Sequence, residues 1–78
     1  MVYRIEHLGV TLNVEVTPTL QALGDQPWRC VVKKEGDLFA EEARFFESDC
    51  GLNAALDADE DYCRRHGILD GTIIINCL

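Results

Sequence analysis

Three groups of residues in this 78-residue chain have types and spacings that bear on chemistry. The first is Cys63-Arg64-Arg65-His66, a C-x-x-H that sets a thiol and an imidazole on one helix face, with Cys50 and Cys77 as further sulfur donors. Structural zinc usually draws its ligands from closely paired knuckles, and one such pair alone leaves no metal expected. The second is Cys50-Gly51, near the start of a helical stretch, where a thiolate is stabilised by the helix N-terminus. A cysteine hydrolase also needs a positioned base. His7 and His66 are the only histidines, and neither stands in a recognisable motif. Cys50 therefore reads as a capping-region residue packed under the helix. The third group is Asp59-Glu60-Asp61. Neighbouring helical carboxylates splay around the axis, and the calcium-loop spacing with its glycine is absent. A glycine-rich phosphate loop, G-x-S-x-G and H-E-x-x-H are absent too. Neither an enzyme nor a cofactor is expected.

The charge is the more informative signal. Residues 41–61 hold eight acids, Glu41, Glu42, Glu47, Asp49, Asp57, Asp59, Glu60 and Asp61, against the single base Arg44, and net −7. The remaining residues carry six acids and six bases and net zero. Acids dispersed over the surface would serve solubility, whereas a neutral body with one negative sector produces a directed field. Concentrating the acids also costs stability through self-repulsion, so these eight residues are the expected contact set for a basic partner. The same excess disfavours direct binding to nucleic acid or to an anionic membrane.

Positioning those groups falls to one small domain spanning residues 1–78. A hydrophobic fraction of 47% argues against disorder. No apolar run approaches the ~20 residues of a membrane span, and the N-terminal residues lack the apolar stretch of a signal peptide. The expected compartment is the cytosol, and Cys30, Cys50, Cys63 and Cys77 are expected as reduced, mostly buried thiols.

Val10, Leu12, Val14 and Val16 alternate with polar residues, the period of a half-buried strand. Tyr3 and Ile5 alternate in the opposite phase, with Gly9 near the switch, so residues 2–17 form a hairpin or a bulged strand. Pro18 ends that ladder, and residues 18–27 read as a loop. Trp28, Cys30 and Val32 mark a further strand, and Lys34-Glu35-Gly36-Asp37 a turn. Residues 38–47 fit a helical stripe or a strand; the preceding tight turn tips the reading toward a hairpin. Phe45, Phe46 and Trp28 are expected in the core. Ser48 or Asp49 caps a helix running to about His66, with Leu52, Ala55, Leu56, Tyr62, Cys63 and His66 inward, Asn53, Asp57, Glu60 and Asp61 outward, and Gly67 beyond its end. After a turn at Asp70-Gly71, residues 72–78 read as a buried strand, with Leu56 meeting Ile74 beneath the helix. The expected class is α+β: a small antiparallel sheet in the order β-β-β-β-α-β, with one amphipathic helix packed on it.

This length, this charge and a strand-rich order closing on helix then strand together resemble the small acidic anti-CRISPR proteins of phages and mobile elements. The resemblance is one of class and transfers no individual residue. It implies a protein that imitates DNA, docking by its acidic sector on the Lys/Arg groove of a Cas effector complex and blocking target recognition. The alternative is an adaptor or toxin-neutralising protein that binds one basic partner without mimicking DNA.

Overall fold

The structure is a computed structural model describing residues 1–7, 9–19, 26–68 and 73–78. In chain order the elements are β1 (Val2–His7), β2 (Val10–Pro18), β3 (Gln26–Lys34), β4 (Arg44–Ser48), α1 (Gly51–His66) and β5 (Ile74–Cys77). The strands form one antiparallel sheet in the order β4-β3-β2-β1-β5. The helix joins one edge strand to the other and packs across the face between them. This is the expected α+β architecture.

The period-2 residues dictate which face is covered. Tyr3 and Ile5 pair with Val14 and Leu12, and Val14 and Val16 pair with Val32 and Cys30, so the inward residues of three strands form one apolar floor. Ile5, Leu12, Val14 and Val16 are wholly buried there. Trp28 joins them, its indole N–H donating to the Ser48 carbonyl at 2.9 Å, which satisfies the one polar atom the ring buries. The phase switch between Ile5 and Val10 resolves as a hairpin, with Gly9 at φ 78°, a region that glycine enters without a Cβ clash.

The helix lies on this floor by its small residues. Gly51, Ala54, Ala55, Ala58, Asp59, Tyr62 and Cys63 are buried. The stripe expected from the large apolar residues is thus rotated. Ala55, Tyr62 and Cys63 face inward as read, but Leu52 is 42% exposed, Leu56 is half-buried and His66 is exposed. Alanines let the helix axis approach the sheet closely, and a leucine stripe would hold it away. Cys50 occupies the N-cap position in extended backbone, and no side chain caps the helix, so neither Ser48 nor Asp49 plays that part. Gly67 closes the helix as expected: it is left-handed at φ 68°, its N–H returning to the Cys63 carbonyl.

Three further expectations are corrected. Residues 38–43 form an irregular connection and the strand begins only at Arg44, so the 38–47 segment is strand in its second half alone. Phe45 points to the open side of the sheet and is 61% exposed, while Phe46 packs against the core with Trp28. The last strand is an exposed edge beside β1, not a buried strand. Ile74 is 57% exposed and the helix packs on β1 to β4, so Leu56 and Ile74 do not meet. The loop expected at 18–27 lies mostly outside the described residues, as does the Asp70-Gly71 turn.

Candidate functional site

Among the described residues two clusters of titratable side chains bear on function, one buried and one exposed. The buried cluster joins β1 to α1. His7 continues the inward phase of Tyr3 and Ile5 to the end of its strand. Asp59 and Cys63 lie one helical turn apart in the buried stripe of α1. His7 Nε2 and Asp59 Oδ1 are 2.6 Å apart, and the two side chains are 5% and 7% exposed. When Asp59 is ionised, the Nε2–H donates to it. Cys63 Sγ lies 3.5 Å from the same Nε2 and 3.8 Å from the same Oδ1, and the residue is 2% exposed. Nδ1 of His7 is buried with no hydrogen-bond partner among the described residues.

That arrangement differs from a nucleophilic relay. In a relay the carboxylate holds one ring nitrogen and the nucleophile contacts the other. Here Asp59 and Cys63 both address Nε2, and the thiol is buried. What the three groups can do together is converge nitrogen, oxygen and sulfur donors on one point. His7, Asp59 and Cys63 are the set among the described residues that could hold a metal ion, their donor atoms all lying within 4.8 Å of one another. The C-x-x-H, from which no metal site is expected, does not bring its two side chains together: His66 contacts Glu41 while Cys63 faces His7. The signals that would have revealed this cluster were an acid within the small-residue helix stripe and a histidine in the inward phase of a strand.

The exposed cluster contains most of the predicted acidic sector. Glu41 accepts from Arg65 at 2.8 Å and contacts His66 Nε2 at 2.7 Å, and its main-chain N–H is anchored on the Val32 carbonyl. The Arg65 hydrogen bond, then the His66 contact, holds the Glu41 carboxyl below its ordinary range against the effect of burial. Asp61 is shared by Arg44 and Arg65, each at 2.9 Å, and Glu60 pairs with Arg64 at 2.8 Å. Asp49 accepts from Asn53, which lowers its pKa. Tyr62 stacks on His66 beneath this network, with Arg65 over its ring.

Four of the eight predicted contact residues therefore satisfy cations or an amide of the protein itself. Asp59 is the fifth exception: buried against His7, it cannot reach a partner, and it leaves the contact set. Glu42, Glu47 and Asp57 are exposed and make no ion pair or hydrogen bond among the described residues. Asp57, Glu60 and Asp61 line a shallow groove with Phe46 and Arg64. Beside the sector, the connection before β4 presents Leu38 and Phe39, 86% and 84% exposed. Sequence reasoning passed over Leu38 and placed Phe39 on a regular element.

No disulfide joins the cysteines. Cys30 and Cys63 are buried while Cys50 and Cys77 are exposed, so the mostly buried expectation holds for half of them. Burial pushes the Cys30 thiol up to about 11. Among the described residues no helix is long and apolar enough to cross a membrane. Comparison with family models, with curated proteins and with solved structures found no match.

Proposed function

We propose that this protein is a non-enzymatic binding module that engages a basic protein surface through the side formed by the 38–43 connection, β4 and the outer face of α1. One observation carries the reading: two large apolar side chains, Leu38 and Phe39, stand almost fully exposed directly beside Glu41 and Glu42. A solubility device has no use for them. An interface has, since apolar and aromatic anchors ringed by charge are how protein contacts gain affinity and register. The charge left after internal pairing still favours a cationic partner. Residues 41–66 hold eight acids and, counting Arg44, Arg64 and Arg65, three bases, and net −5 with histidines neutral.

The DNA-mimic form of this reading, an inhibitor of a Cas effector complex as the anti-CRISPR resemblance implies, draws on the same segregated charge. It asks for carboxylates held free at phosphate-like spacing, and Glu41 and Asp61 are instead bound by arginines. A Lys/Arg groove built for phosphates also offers little to Leu38 and Phe39. The geometry favours the adaptor form. Exposed thiols at Cys50 and Cys77 suit a reducing compartment such as the cytosol.

The test is affinity capture from a host lysate at low and high salt. Leu38→Ser with Phe39→Ser, and separately Glu42→Lys, Asp57→Lys and Glu60→Lys, should each remove the captured partner. Glu6→Lys with Glu15→Lys, on the far strands, should leave it. Capture should fall with salt, because surface charges are screened beyond ~10 Å at 0.1 M. Duplex DNA that displaces the protein from its partner would select the mimic; equal capture by every variant would sink both forms.

A further inference from the structure

We propose that His7, Asp59 and Cys63 form a binding site for zinc, or a similarly borderline-soft divalent ion, that ties helix α1 to strand β1. The donor set is of the right kind. An imidazole nitrogen, a carboxylate oxygen and a thiolate are the ligands zinc takes, whereas calcium and magnesium require oxygen alone.

The spacing is close to right as it stands. Bond lengths of ~2.0 Å to nitrogen or oxygen and ~2.3 Å to sulfur put tetrahedral ligands roughly 3.5 Å apart where one is sulfur and roughly 3.3 Å apart otherwise. The nitrogen–sulfur separation here is 3.5 Å and the oxygen–sulfur separation 3.8 Å. Only the 2.6 Å His7–Asp59 hydrogen bond is too short. Replacing its proton by an ion opens that gap by less than ~1 Å, within the reach of small side-chain torsions. Cys63 binds as the thiolate, its proton passing to solvent. His7 binds through Nε2 as the neutral Nδ1–H tautomer, so the proton held between His7 and Asp59 moves to Nδ1, or to solvent where Nδ1 already carries one. Nδ1 faces away from the cluster, so the ring offers Nε2 alone.

Position supplies the consequence. His7 lies 52 residues from Asp59 and 56 from Cys63 along the chain. An ion held by all three closes residues 7–63 of the 78 into one loop, the kind of crosslink that helps most in a domain whose core is small. Among the described residues these three ligands leave one tetrahedral position for a water, another small ligand or a further side chain. The site is separate from the proposed docking side, which lies along β4 and the outer helix face.

The experiment is a titration of the full chain, reduced and stripped with chelator, with cobalt(II) as a spectroscopic probe and then with zinc. One equivalent of cobalt should give a tetrahedral, thiolate-ligated spectrum that zinc displaces, and zinc should raise the melting temperature. Cys63→Ser and His7→Gln, with folding checked by circular dichroism, should weaken binding at least ~10–100-fold, the loss that even an outer-shell change produces. Cys50→Ser with Cys77→Ser, both exposed, should leave spectrum and stoichiometry intact, and this double variant keeps the assignment testable if the core variants fail to fold. No thiolate spectrum in the wild-type chain, or one that vanishes with Cys50 and Cys77, would overturn the proposal.

Discussion

Two imidazole–carboxylate pairs of almost equal length sit in opposite surroundings. His7–Asp59, at 2.6 Å, is buried between helix and sheet, with side chains 5% and 7% exposed. His66–Glu41, at 2.7 Å, is on the surface at 42% and 30%. Both carboxylates come from the same acidic stretch of sequence, so charge counting treats them alike. Burial separates them. A polar group taken out of water must keep its partner or bear the full desolvation penalty, whereas a surface group that loses its partner is met by solvent. The inner pair is thus a structural commitment of the fold, and the outer one is adjustable and can be spent on a partner.

Asp59→Ala would break the comparison most visibly. It leaves His7 buried beside a thiol with its hydrogen bond gone, and removing one partner of a buried pair typically costs ~3–5 kcal/mol. For a domain whose total stability is on the order of 5–10 kcal/mol, the variant should lose roughly a third or more of it and melt well below the wild type. Urea unfolding of the metal-free protein measures this. A loss below ~1 kcal/mol would mean that burial does not set the stakes at this pair. Asp59→Asn, which keeps an acceptor for the Nε2–H, should lose less than Asp59→Ala.

The same contrast explains what could be read before the fold was seen. The inward face of each strand follows from period-2 alternation, which a register slip would invert wholesale, so the inward residues are legible in β1, β2 and β3. The choice of hairpin over bulged strand for residues 2–17 and the order of the strands in the sheet are not legible that way. The helix stripe is not legible from hydrophobic size, because size does not measure burial here. Close approach of helix to sheet selected Ala54, Ala55 and Ala58, and left Leu52 outside. The final strand misled for the opposite reason: Ile74 and its neighbours have the composition of a core strand, but the order of the sheet puts them at an edge. Asp59 was invisible as an inner residue because its neighbours Asp57, Glu60 and Asp61 are acids too. Only its phase, one turn after Ala55 and one before Cys63, sets it apart.

Glu41→Gln tests the outer network and should cost less than ~1 kcal/mol at neutral pH, the usual worth of exposed ion pairs even when several are linked. The pH dependence has a definite sign. The folded-state pKa of Glu41 lies below its ordinary 4.5. Its contribution is therefore present above about that pH and lost as the pH falls through the depressed value. The stability gap between wild type and Glu41→Gln should narrow on acidification below 4.5, and salt should narrow it too. A gap that widens in acid would mean that Arg65 and His66 do not hold the carboxylate in its charged form.

The smallest effect on stability, and the sharpest separation of stability from binding, belongs to Arg64. Its guanidinium pairs with Glu60 across one helical turn, 2.8 Å apart, with both side chains about two-thirds exposed. Such i,i+4 pairs contribute only ~0.3–0.5 kcal/mol, so Arg64→Ala should barely move the melting temperature. It should, however, release Glu60 beside Asp57 and make the docking side more negative by one charge. Association with a basic partner should then be faster at low salt, with the advantage fading as salt rises, because added field acts mainly on encounter. If Arg64→Ala instead slowed association, Arg64 itself would be a contact residue, and the partner would have to offer acids to this groove.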